Sequence, residues 1–231
     1  MRNSFSLKTY TFFSNLLHFF FNKEKFKLWF ELFYWKVKKW QEKELSNFHY
    51  REFFVDYFEI PENFYASKKI LDIGCGPRGS LEWAKNASQR VGLDPLANKY
   101  LAINKGKHQM AYTQGVSEAI PFENEHFDVV SSFNSLDHVE NLDKTLSEIH
   151  RCLKMGGLFL LITDIHTKPT LTEPSAFGWE ISEKIKTLFE IESEKHYEGN
   201  KLYKSIRKAI PFDHQNHKKR YGVLTILAKK K

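Results

Sequence analysis

The sequence predicts a doubly wound α/β fold with a mostly parallel sheet of seven strands and an added N-terminal helical region. Short apolar stretches alternate with helical patterns through the middle of the chain, and this alternation is typical of parallel sheets that are covered by helices on both faces. A glycine-rich turn at residues 74–79 follows the first of these strands. In such folds, ligands bind beyond the carboxyl ends of the strands, so the site is expected there.

Composition predicts one domain with one sizeable core. The chain has 231 residues, of which 42% are hydrophobic, and its net charge is +7. The positive charge is concentrated after residue 194, and it favours contact with an anionic partner or surface. Cys75 and Cys152 are the only cysteines and offer no disulfide framework or zinc-ligand spacing. This cysteine usage predicts a cytoplasmic protein, with contact at a membrane periphery as an option.

Residues 1–60 are unusually aromatic, and we expect them to form an extension to a domain that spans residues 61–231. Six apolar residues recur at steps of three and four, which predicts a helix over residues 23–40: Phe26, Trp29, Phe30, Phe33, Val37 and Trp40. We expect this broad face to pack against the domain. A narrower strip of Leu28, Leu32 and Trp35 would then remain for an acceptor or a membrane surface.

Two roles remain open for this extension. It could form a lid over the ligand site, or it could lie on a membrane as a basic, aromatic interfacial helix. No stretch reaches the roughly 18 to 20 uninterrupted apolar residues of a membrane span, and no signal-cleavage site follows residues 12–21. A second helix is expected over residues 44–58, ending before Pro61.

A strand over residues 70–73 leads into the turn, where Gly74, Gly76 and Gly79 match G-x-G-x-x-G. Ser80 is placed to cap a helix over residues 81–87. Asp72 precedes the first glycine by two positions and would repel a pyrophosphate bound at the turn. Its charge favours a cationic ligand, such as the ammonium and sulfonium groups of S-adenosylmethionine.

Asp94 ends a second strand over residues 90–94 and lies 20 positions after Gly74. A carboxylate at this distance is typical of sites where it accepts hydrogen bonds from both hydroxyls of a nucleotide ribose. The remaining elements continue the alternation. They are a helix after Pro95, strands at 108–114 and 127–133, a helix with Leu146, Ile149 and Leu153 on one face, a strand after residue 156, a helix at 176–188, and strands at 189–196 and from 222.

The run DIGCG, residues 72–76, resembles the first motif of class I S-adenosylmethionine-dependent methyltransferases. The runs GVSEAIPF, SLDHV and RCLKMGG are similar to the pattern of the methyltransferase type 11 family. The resemblance implies a Rossmann-like fold, methyltransferase activity and S-adenosylmethionine as cofactor. The cofactor-binding residues that it implies are Asp72, Gly74, Cys75, Gly76, Asp94, Pro95, Ser117, Glu118 and Asn134.

One position departs from the family's pattern. Val116 replaces the aspartate that accepts a hydrogen bond from the adenine amino group. The backbone N–H of Ser117 can still serve an adenine ring nitrogen, and the side chains of Ser117 and Glu118 are alternative acceptors. We therefore expect altered adenine recognition.

Methyl transfer needs a base only when the acceptor loses a proton. His138, just beyond the fourth strand, is the first candidate base, with Asp137 beside it. The alternative for His138 is a capping or packing role. His166 and Glu173 are second candidates. No metal site is expected, because His196, His214 and His217 lack partner carboxylates and ligand spacing.

Three functions remain open. The first is methylation of a small-molecule, glycan or lipid-linked acceptor, with O-methylation favoured and peripheral membrane contact through the N-terminal helices. The second is RNA methylation, which the basic C-terminal region suggests; the run FNSL after the fourth strand lacks the Asn/Asp-Pro-Pro-aromatic tetrad that clamps an amino-bearing base. The third is a non-catalytic protein that binds S-adenosylmethionine, for which Val116 is the hint.

Overall fold

The computed structural model describes residues 23–166, 168–169, 173, 175–199, 203–216 and 220–231. Within them, seven strands form one sheet in the order β3-β2-β1-β4-β5-β7-β6, which confirms the predicted fold class. The strands are β1 (Lys69–Ile73), β2 (Gln89–Asp94), β3 (Ala111–Gln114), β4 (Phe127–Phe133), β5 (Leu153–Ile165), β6 (Phe189–Glu198) and β7 (Gly222–Lys230).

Strand direction brings the predicted site residues to one edge of the sheet. Strand β1 pairs in parallel with β2 and β4, β2 with β3, and β4 with β5, whereas β7 is antiparallel to both β5 and β6. Ile73 is in register with Leu93 on one side and Ser132 on the other. The loops that follow β1, β2 and β4 therefore leave the sheet side by side.

Six helices accompany the sheet in the described part of the chain: α1 (Lys23–Glu42), α2 (Tyr50–Phe54), α3 (Ala97–Ile103), α4 (Leu142–Cys152), α5 (Ile181–Lys186) and α6 (Lys204–Arg207). Helix α4 begins after Asn141, whose side chain accepts a hydrogen bond from the backbone N–H of Lys144 at 3.0 Å. Such an N-cap satisfies one of the free N–H groups at a helix start. The buried residues of α4 include Leu146 and Ile149, as predicted.

The helix predicted over residues 81–87 is wrong. The chain forms a short 3₁₀ turn, Gly76–Arg78, and then passes through turns into β2. Ser80 does not cap a helix, because its hydroxyl donates to the Asp72 carboxylate at 2.5 Å. Gly79 takes the left-handed conformation, with φ of +75°, which interrupts the helical path.

Two other predicted helices are shorter than expected. Of residues 44–58 only Tyr50–Phe54 is helical, and of residues 176–188 only Ile181–Lys186. In the first case the segment packs as an aromatic cluster under the sheet: the ring of Phe54 lies 4.8 Å from that of Phe133 and 5.2 Å from that of Trp83. Residues 53–60 therefore contribute to the main core, and the division of the chain at residue 60 stays a prediction.

The core has two layers, one on each face of the sheet. Leu71, Ile73 and Val130 face α4 and α5, whereas Ile70, Val129 and Leu160 face the aromatic cluster. The two layers separate in this way because successive side chains along a β-strand point to opposite faces of the sheet.

Helix α1 is confirmed, but the orientation predicted for it is wrong. Trp29, Phe33 and Trp40 of the broad aromatic face are exposed, Trp40 by 80%. The narrower side instead turns towards the glycine turn, since a Cβ built on Gly76 would lie 3.4 Å from the Trp35 ring. No helix among the described residues combines the length and apolar character that a membrane crossing requires.

Candidate active site

The first turn of the site requires glycine at two positions. Gly74 has φ of +68°, and a Cβ at this position would lie 2.3 Å from the Cβ of Ser135. Ser135 is itself fixed, because its hydroxyl donates to the backbone carbonyl of Ile73 at 2.8 Å. Gly76 has φ of +56° and donates its backbone N–H to Asp94 at 3.2 Å. The turn after β1 is therefore held against the loops after β2 and β4.

Asp94 lies at the carboxyl end of β2 with its carboxylate held by the backbone. Its Oδ1 accepts a hydrogen bond from the Leu96 N–H at 2.8 Å, and its Oδ2 accepts from Gly76. Burial, and next the negative charge of Glu31, raise the pKa of Asp94 to about 7. The carboxylate still lines a cavity, so it can accept further hydrogen bonds from a ligand.

Asp72 lies beneath the turn, and it lines neither of the two cavities described below. The hydroxyls of Ser80 and Ser131 donate to its two carboxylate oxygens at 2.5 and 2.6 Å. Burial raises the pKa of Asp72 to about 6, although both hydrogen bonds favour the ionised form. The Asp72 carboxylate therefore lies below the two cavities. It could attract a cationic ligand there electrostatically, without direct contact.

A cavity of about 150 Å³ lies over the carboxyl ends of β1, β2 and β4. Six of the predicted cofactor residues line it: Gly74, Asp94, Pro95, Ser117, Glu118 and Asn134. Cys75 and Gly76 line a second cavity beside it. Of the nine predicted cofactor residues, all except Asp72 therefore line one or both of these cavities.

The Val116 side of the first cavity has few free acceptors. Val116 is 43% exposed and lines the cavity with Ser117 and Glu118. The Glu118 carboxylate is already engaged, since its Oε1 accepts from the backbone N–H groups of Glu140 and Asn141 at 2.8 and 3.2 Å. Ser117, the other acceptor predicted from sequence, is engaged as well, since its hydroxyl donates to Oε2 of Glu118 at 3.2 Å. Its hydroxyl shares a hydrogen bond with Thr145.

Helix α1 contributes Lys27 and Glu31, which the sequence analysis did not assign to the site, together with Leu28 of the strip expected to face an acceptor or a membrane surface. Lys27, Leu28 and Glu31 line the first cavity. The Lys27 ammonium donates to the backbone carbonyl of His138, and Glu31 accepts a hydrogen bond from the Tyr100 hydroxyl at 2.9 Å. A signal was present in the sequence, because Lys27 and Glu31 are charged residues at helical spacing beside the apolar strip Leu28–Trp35.

A second contact fixes the carboxyl end of α1. Arg78, in the glycine turn, donates a hydrogen bond from each of its two terminal nitrogens to the Glu42 carboxylate, at 2.8 and 2.9 Å. Its guanidinium also lies 5.3 Å from the centre of the Trp35 ring, within the range of a cation–π contact. The helix is therefore attached to the glycine turn at one end and to the His138 loop at the other.

The second cavity, of about 920 Å³, adjoins the first. The two share Glu31, Gly74, Asn134 and His138 as lining residues. The walls of the second cavity are largely aromatic, with charged groups between them: Trp35, Tyr50, Phe53, Phe133, Tyr203 and Tyr221, together with Arg78, Asp164, Glu173 and Arg207. A ligand in the first cavity can therefore face a second molecule across His138 and Asn134.

His138 and Asp137 lie on the 3₁₀ turn Leu136–His138 after β4. The Nε2 atom of His138 is 3.7 Å from Oδ1 of Asp137, which is too long for a hydrogen bond. His138 faces both cavities, whereas Asp137 is 1% exposed and burial raises its pKa. The second candidates also converge here, because His166 Nε2 lies 3.6 Å from Asp137 Oδ2 and Glu173 lines the second cavity.

His196 has a partner carboxylate that the sequence analysis did not find. Its Nε2 atom lies 2.8 Å from Oε1 of Glu194, and its Nδ1 lies 3.0 Å from Nε2 of His214. The Trp179 ring stacks on the His196 ring at 4.0 Å. This cluster lies on β6 and the segment after α6, apart from the two cavities, and His217 falls outside the described residues.

Comparison with known proteins gives a family match for the segment that builds the site. Residues 71–161 match a family model described as a methyltransferase domain. The chain is 33% identical over 117 residues to the sarcosine/dimethylglycine N-methyltransferase of Aphanothece halophytica, covering 46% of this chain and 41% of that protein. It is 30% identical over 121 residues to the chloroplastic tocopherol O-methyltransferase of Arabidopsis thaliana, covering 49% of this chain and 35% of that protein.

The fold is also that of a solved S-adenosylmethionine-dependent methyltransferase from Mesorhizobium loti. The TM-score is 0.54 at 19% sequence identity, and the similarity covers 72% of this chain and 92% of the other. The chain spans about two fifths of the length of the curated relatives it matches. Those relatives act on different atoms, since one is named an N-methyltransferase and the other an O-methyltransferase.

Proposed function

We propose that this chain, whose residues 71–161 match a methyltransferase-domain family model, transfers a methyl group from S-adenosylmethionine to a small-molecule, glycan or lipid-linked acceptor. The favoured reaction is O-methylation. The observation that supports it best is the shared wall of the two cavities, where His138 and Asn134 lie between a cleft of about 150 Å³ and a larger aromatic one of about 920 Å³. Bound cofactor would supply an electrophilic methyl group on sulfur.

The residues of the first cavity hold the cofactor in this proposal. Asp94 accepts hydrogen bonds from the ribose hydroxyls, and the glycine turn allows close approach of the methionine part. Ser117 serves the adenine ring, next to Val116. Bound S-adenosylmethionine would supply the methyl group for an in-line displacement by the acceptor oxygen, with S-adenosylhomocysteine as the product. Holding both partners in near-attack geometry supplies much of the acceleration.

His138 is the proposed proton acceptor, with the Asp137 carboxylate 3.7 Å from it. It faces both cavities, so it can reach an acceptor hydroxyl beside the methyl group. His138→Gln should lower kcat by about 10²- to 10⁴-fold, the usual contribution of a positioned base. The affinity for S-adenosylhomocysteine should change little. His126→Gln is the matched control, because His126 bonds to Gln89 at the opposite end of β2.

The shape of the second cavity supports an acceptor that is small or has a slender reactive end. A cavity of about 920 Å³ is within the usual range for small-molecule sites, about 300 to 1,000 Å³. In the RNA alternative, the basic C-terminal region would bind phosphates, but several of its cations are already paired: Lys195 with Glu59, Arg207 with Glu52 and Arg220 with Glu198. Methylation of RNA therefore remains the second candidate.

Contact with a membrane surface is part of this proposal. The exposed Trp29, Phe33 and Trp40 on α1, with Phe48 after it, form an aromatic surface beside lysines. Amphipathic, basic helices of this kind bind at the headgroup boundary. A cytoplasmic location is also proposed, and the free state of Cys75 and Cys152 supports it.

The direct test is to incubate the full chain with methyl-labelled S-adenosylmethionine and an extract of its source cells, and then to separate lipid, glycan, small-molecule and RNA fractions. We expect the label in one of the first three fractions, and its initial rate of incorporation should fall by about 10²-fold or more with His138→Gln. Label in RNA would favour the second candidate. Binding of S-adenosylhomocysteine without label in any fraction would favour a non-catalytic binding protein.

A further inference from the structure

We propose that Asp137, His166 and Glu173 form a binding site for one divalent first-row transition ion on the wall of the second cavity. One ligand atom from each of these residues lies within 4.8 Å of the others. Asp137 follows β4, whereas His166 and Glu173 follow β5, so the sheet brings together side chains from two separate loops. This metal site is not part of the methyl-transfer proposal.

The first argument is the state of His166. Its Nδ1 atom lies 2.9 Å from the backbone carbonyl oxygen of Lys168. A carbonyl oxygen can only accept, so Nδ1 carries the proton, and in the neutral ring Nε2 presents a lone pair. Histidines that bind metals commonly donate their other ring N–H to a backbone carbonyl in this way. His166 is therefore oriented with a ligand atom towards Asp137.

The second argument is the gap between His166 and Asp137. The Nε2 atom of His166 and the Oδ2 atom of Asp137 are 3.6 Å apart, beyond hydrogen-bonding distance. Two ligand atoms that lie about 2.0 to 2.2 Å from one ion are about 3 to 3.6 Å apart. The two acceptors thus face each other at the separation that a shared cation produces.

The third argument is burial without a hydrogen bond. Asp137 is 1% exposed, and its Oδ1 atom has no hydrogen-bond partner among the described residues. The buried Nε2 atom of His166 has none either. Oδ1 of Asp137 is the oxygen that faces His138, and Oδ2 is the one that faces His166, so the unsatisfied atom on the His166 side is Nε2. A buried polar atom without a partner is costly, and coordination of a metal ion is one of the few ways to compensate it. Among the ion pairs of the described residues, none joins Asp137 or its neighbour Asp164 to a lysine or arginine.

The set of donors indicates the class of ion. One imidazole nitrogen with two carboxylates suits Mn²⁺, Fe²⁺ or Zn²⁺, because imidazole nitrogen is a usual ligand of Fe²⁺ and Zn²⁺, and carboxylate oxygen is a usual ligand of Mn²⁺. Glu173 lines the second cavity beside His138. If the proposed methyl transfer takes place there, a bound ion would coordinate an oxygen of the acceptor; this consequence rests on the proposed function, and the site itself does not.

The test uses the full chain after treatment with a chelator and dialysis. Mn²⁺ is titrated into it, and free Mn²⁺ is followed by electron paramagnetic resonance. We expect one tight site per chain, and at least a tenfold loss of affinity in both His166→Ala and Glu173→Gln. These two side chains are less buried than Asp137, whose substitution endangers folding. His214→Ala is the matched control, since His214 and His196 form the other histidine cluster.

Folding is checked by binding of S-adenosylhomocysteine, which does not involve these side chains and should be unchanged in all three variants. Zn²⁺ is tested in the same samples by its competition with Mn²⁺ and, where no Mn²⁺ binds, by a separate titration with calorimetry. The proposal is overturned if the folded chain binds neither ion, which would leave His166 and Asp137 as a pair that shares a proton. It is also overturned if His166→Ala binds the ion as tightly as the natural protein, or if His214→Ala is the variant that loses it. A failure of metal binding leaves the methyl-transfer proposal standing, because the two are measured separately.

Discussion

The Tyr100 hydroxyl donates a hydrogen bond to the Glu31 carboxylate at 2.9 Å, and this bond joins helix α1 to helix α3 over the cofactor cavity. The ring of Tyr100 also meets the Trp35 ring edge-on, with ring centres 6.5 Å apart. Because Glu31 lines both cavities, the contact lies at their junction. We infer that it helps to keep α1 closed over bound cofactor.

Tyr100→Phe removes only this hydroxyl and keeps the ring in place. We expect S-adenosylhomocysteine to dissociate about three- to tenfold faster, since a hydrogen bond to a charged group contributes roughly 1 kcal/mol or more. The rate can be measured by stopped-flow fluorescence, with Trp35 as the reporter. Tyr197→Phe is the control, because Tyr197 lies on β6 and lines neither cavity. Equal rates in the natural protein and Tyr100→Phe would show that the contact does not hold the helix closed.

The raised pKa of Asp94, about 7, predicts pH-dependent cofactor binding. The ribose hydroxyls donate to the ionised carboxylate, so binding favours that form and releases a proton below pH 7. Affinity for S-adenosylhomocysteine should fall roughly tenfold between pH 8 and pH 6. Calorimetry in two buffers of different ionisation enthalpy would detect the proton, and Asp94→Ala should remove most of the dependence and weaken binding by about 1.5 to 3 kcal/mol.

The raised pKa of Asp94 also predicts how the free energy of unfolding of the ligand-free protein changes with pH. A folded-state pKa above the unfolded value means that the contribution of Asp94 to stability is complete below the unfolded pKa, about 3.9. That contribution is lost as the pH rises through about 7. The increase in Tm that S-adenosylhomocysteine causes should therefore be larger at pH 8 than at pH 6. An increase that is larger at pH 6 would contradict this assignment.

Val116→Asp should restore an acceptor for the adenine amino group. Val116 is exposed to the first cavity, and the neighbouring Glu118 is already bonded to two backbone N–H groups. We expect calorimetry to show S-adenosylhomocysteine binding tighter by about 0.5 to 1.5 kcal/mol. Val116→Leu controls for the change in size. Unchanged or weaker binding in Val116→Asp would mean that Ser117 or water already accepts this hydrogen bond.

Gly74→Ala should destabilise the fold more than Gly106→Ala. Both glycines have positive φ, +68° and +67°, so alanine is strained at each by about 1 to 2 kcal/mol. At Gly74 the added Cβ also overlaps Ser135, whereas at Gly106 nothing lies within 4 Å. The overlap should cost about 1 to 3 kcal/mol more. Urea denaturation measures both, and equal losses would show that the Ser135 contact relaxes freely.

Deleting residues 1–44 removes α1 but leaves Phe53 and Phe54 in the core. We expect the truncated chain to fold and to bind S-adenosylhomocysteine more weakly, because the contacts of Glu31 and Trp35 are lost, and to lose methyl transfer to its acceptor. Deleting residues 1–22 is the control and should keep the binding that α1 supports. If the longer deletion retains normal turnover and loses only vesicle binding, α1 is a membrane element and not a lid.

The sequence by itself determined the strand, the glycine turn after it and the place of Asp94 at the end of β2, where it lines the first cavity. It also assigned Asp72 to the ligand, whereas the structure holds Asp72 beneath the turn, away from both cavities. These features are local: Asp72, Gly74 and Asp94 lie at strand ends, and parallel strands bring their carboxyl ends to one edge of the sheet. The helical period likewise located α1. The same local patterns overestimated the helix after Ser80, because they did not include the hydrogen bond from Ser80 to Asp72.

Only the tertiary structure decided which side of α1 turns inward. Periodicity shows which residues share a face, but the choice between faces depends on what the domain offers, here Tyr100 and Arg78 as partners for Glu31 and Glu42. The proximity of Asp137 and His166 likewise depends on the tertiary structure. These residues are 29 positions apart in sequence, and they approach to 3.6 Å because β4 and β5 are neighbours in the sheet. Contacts between distant segments depend on strand order and register, which no single stretch of sequence contains.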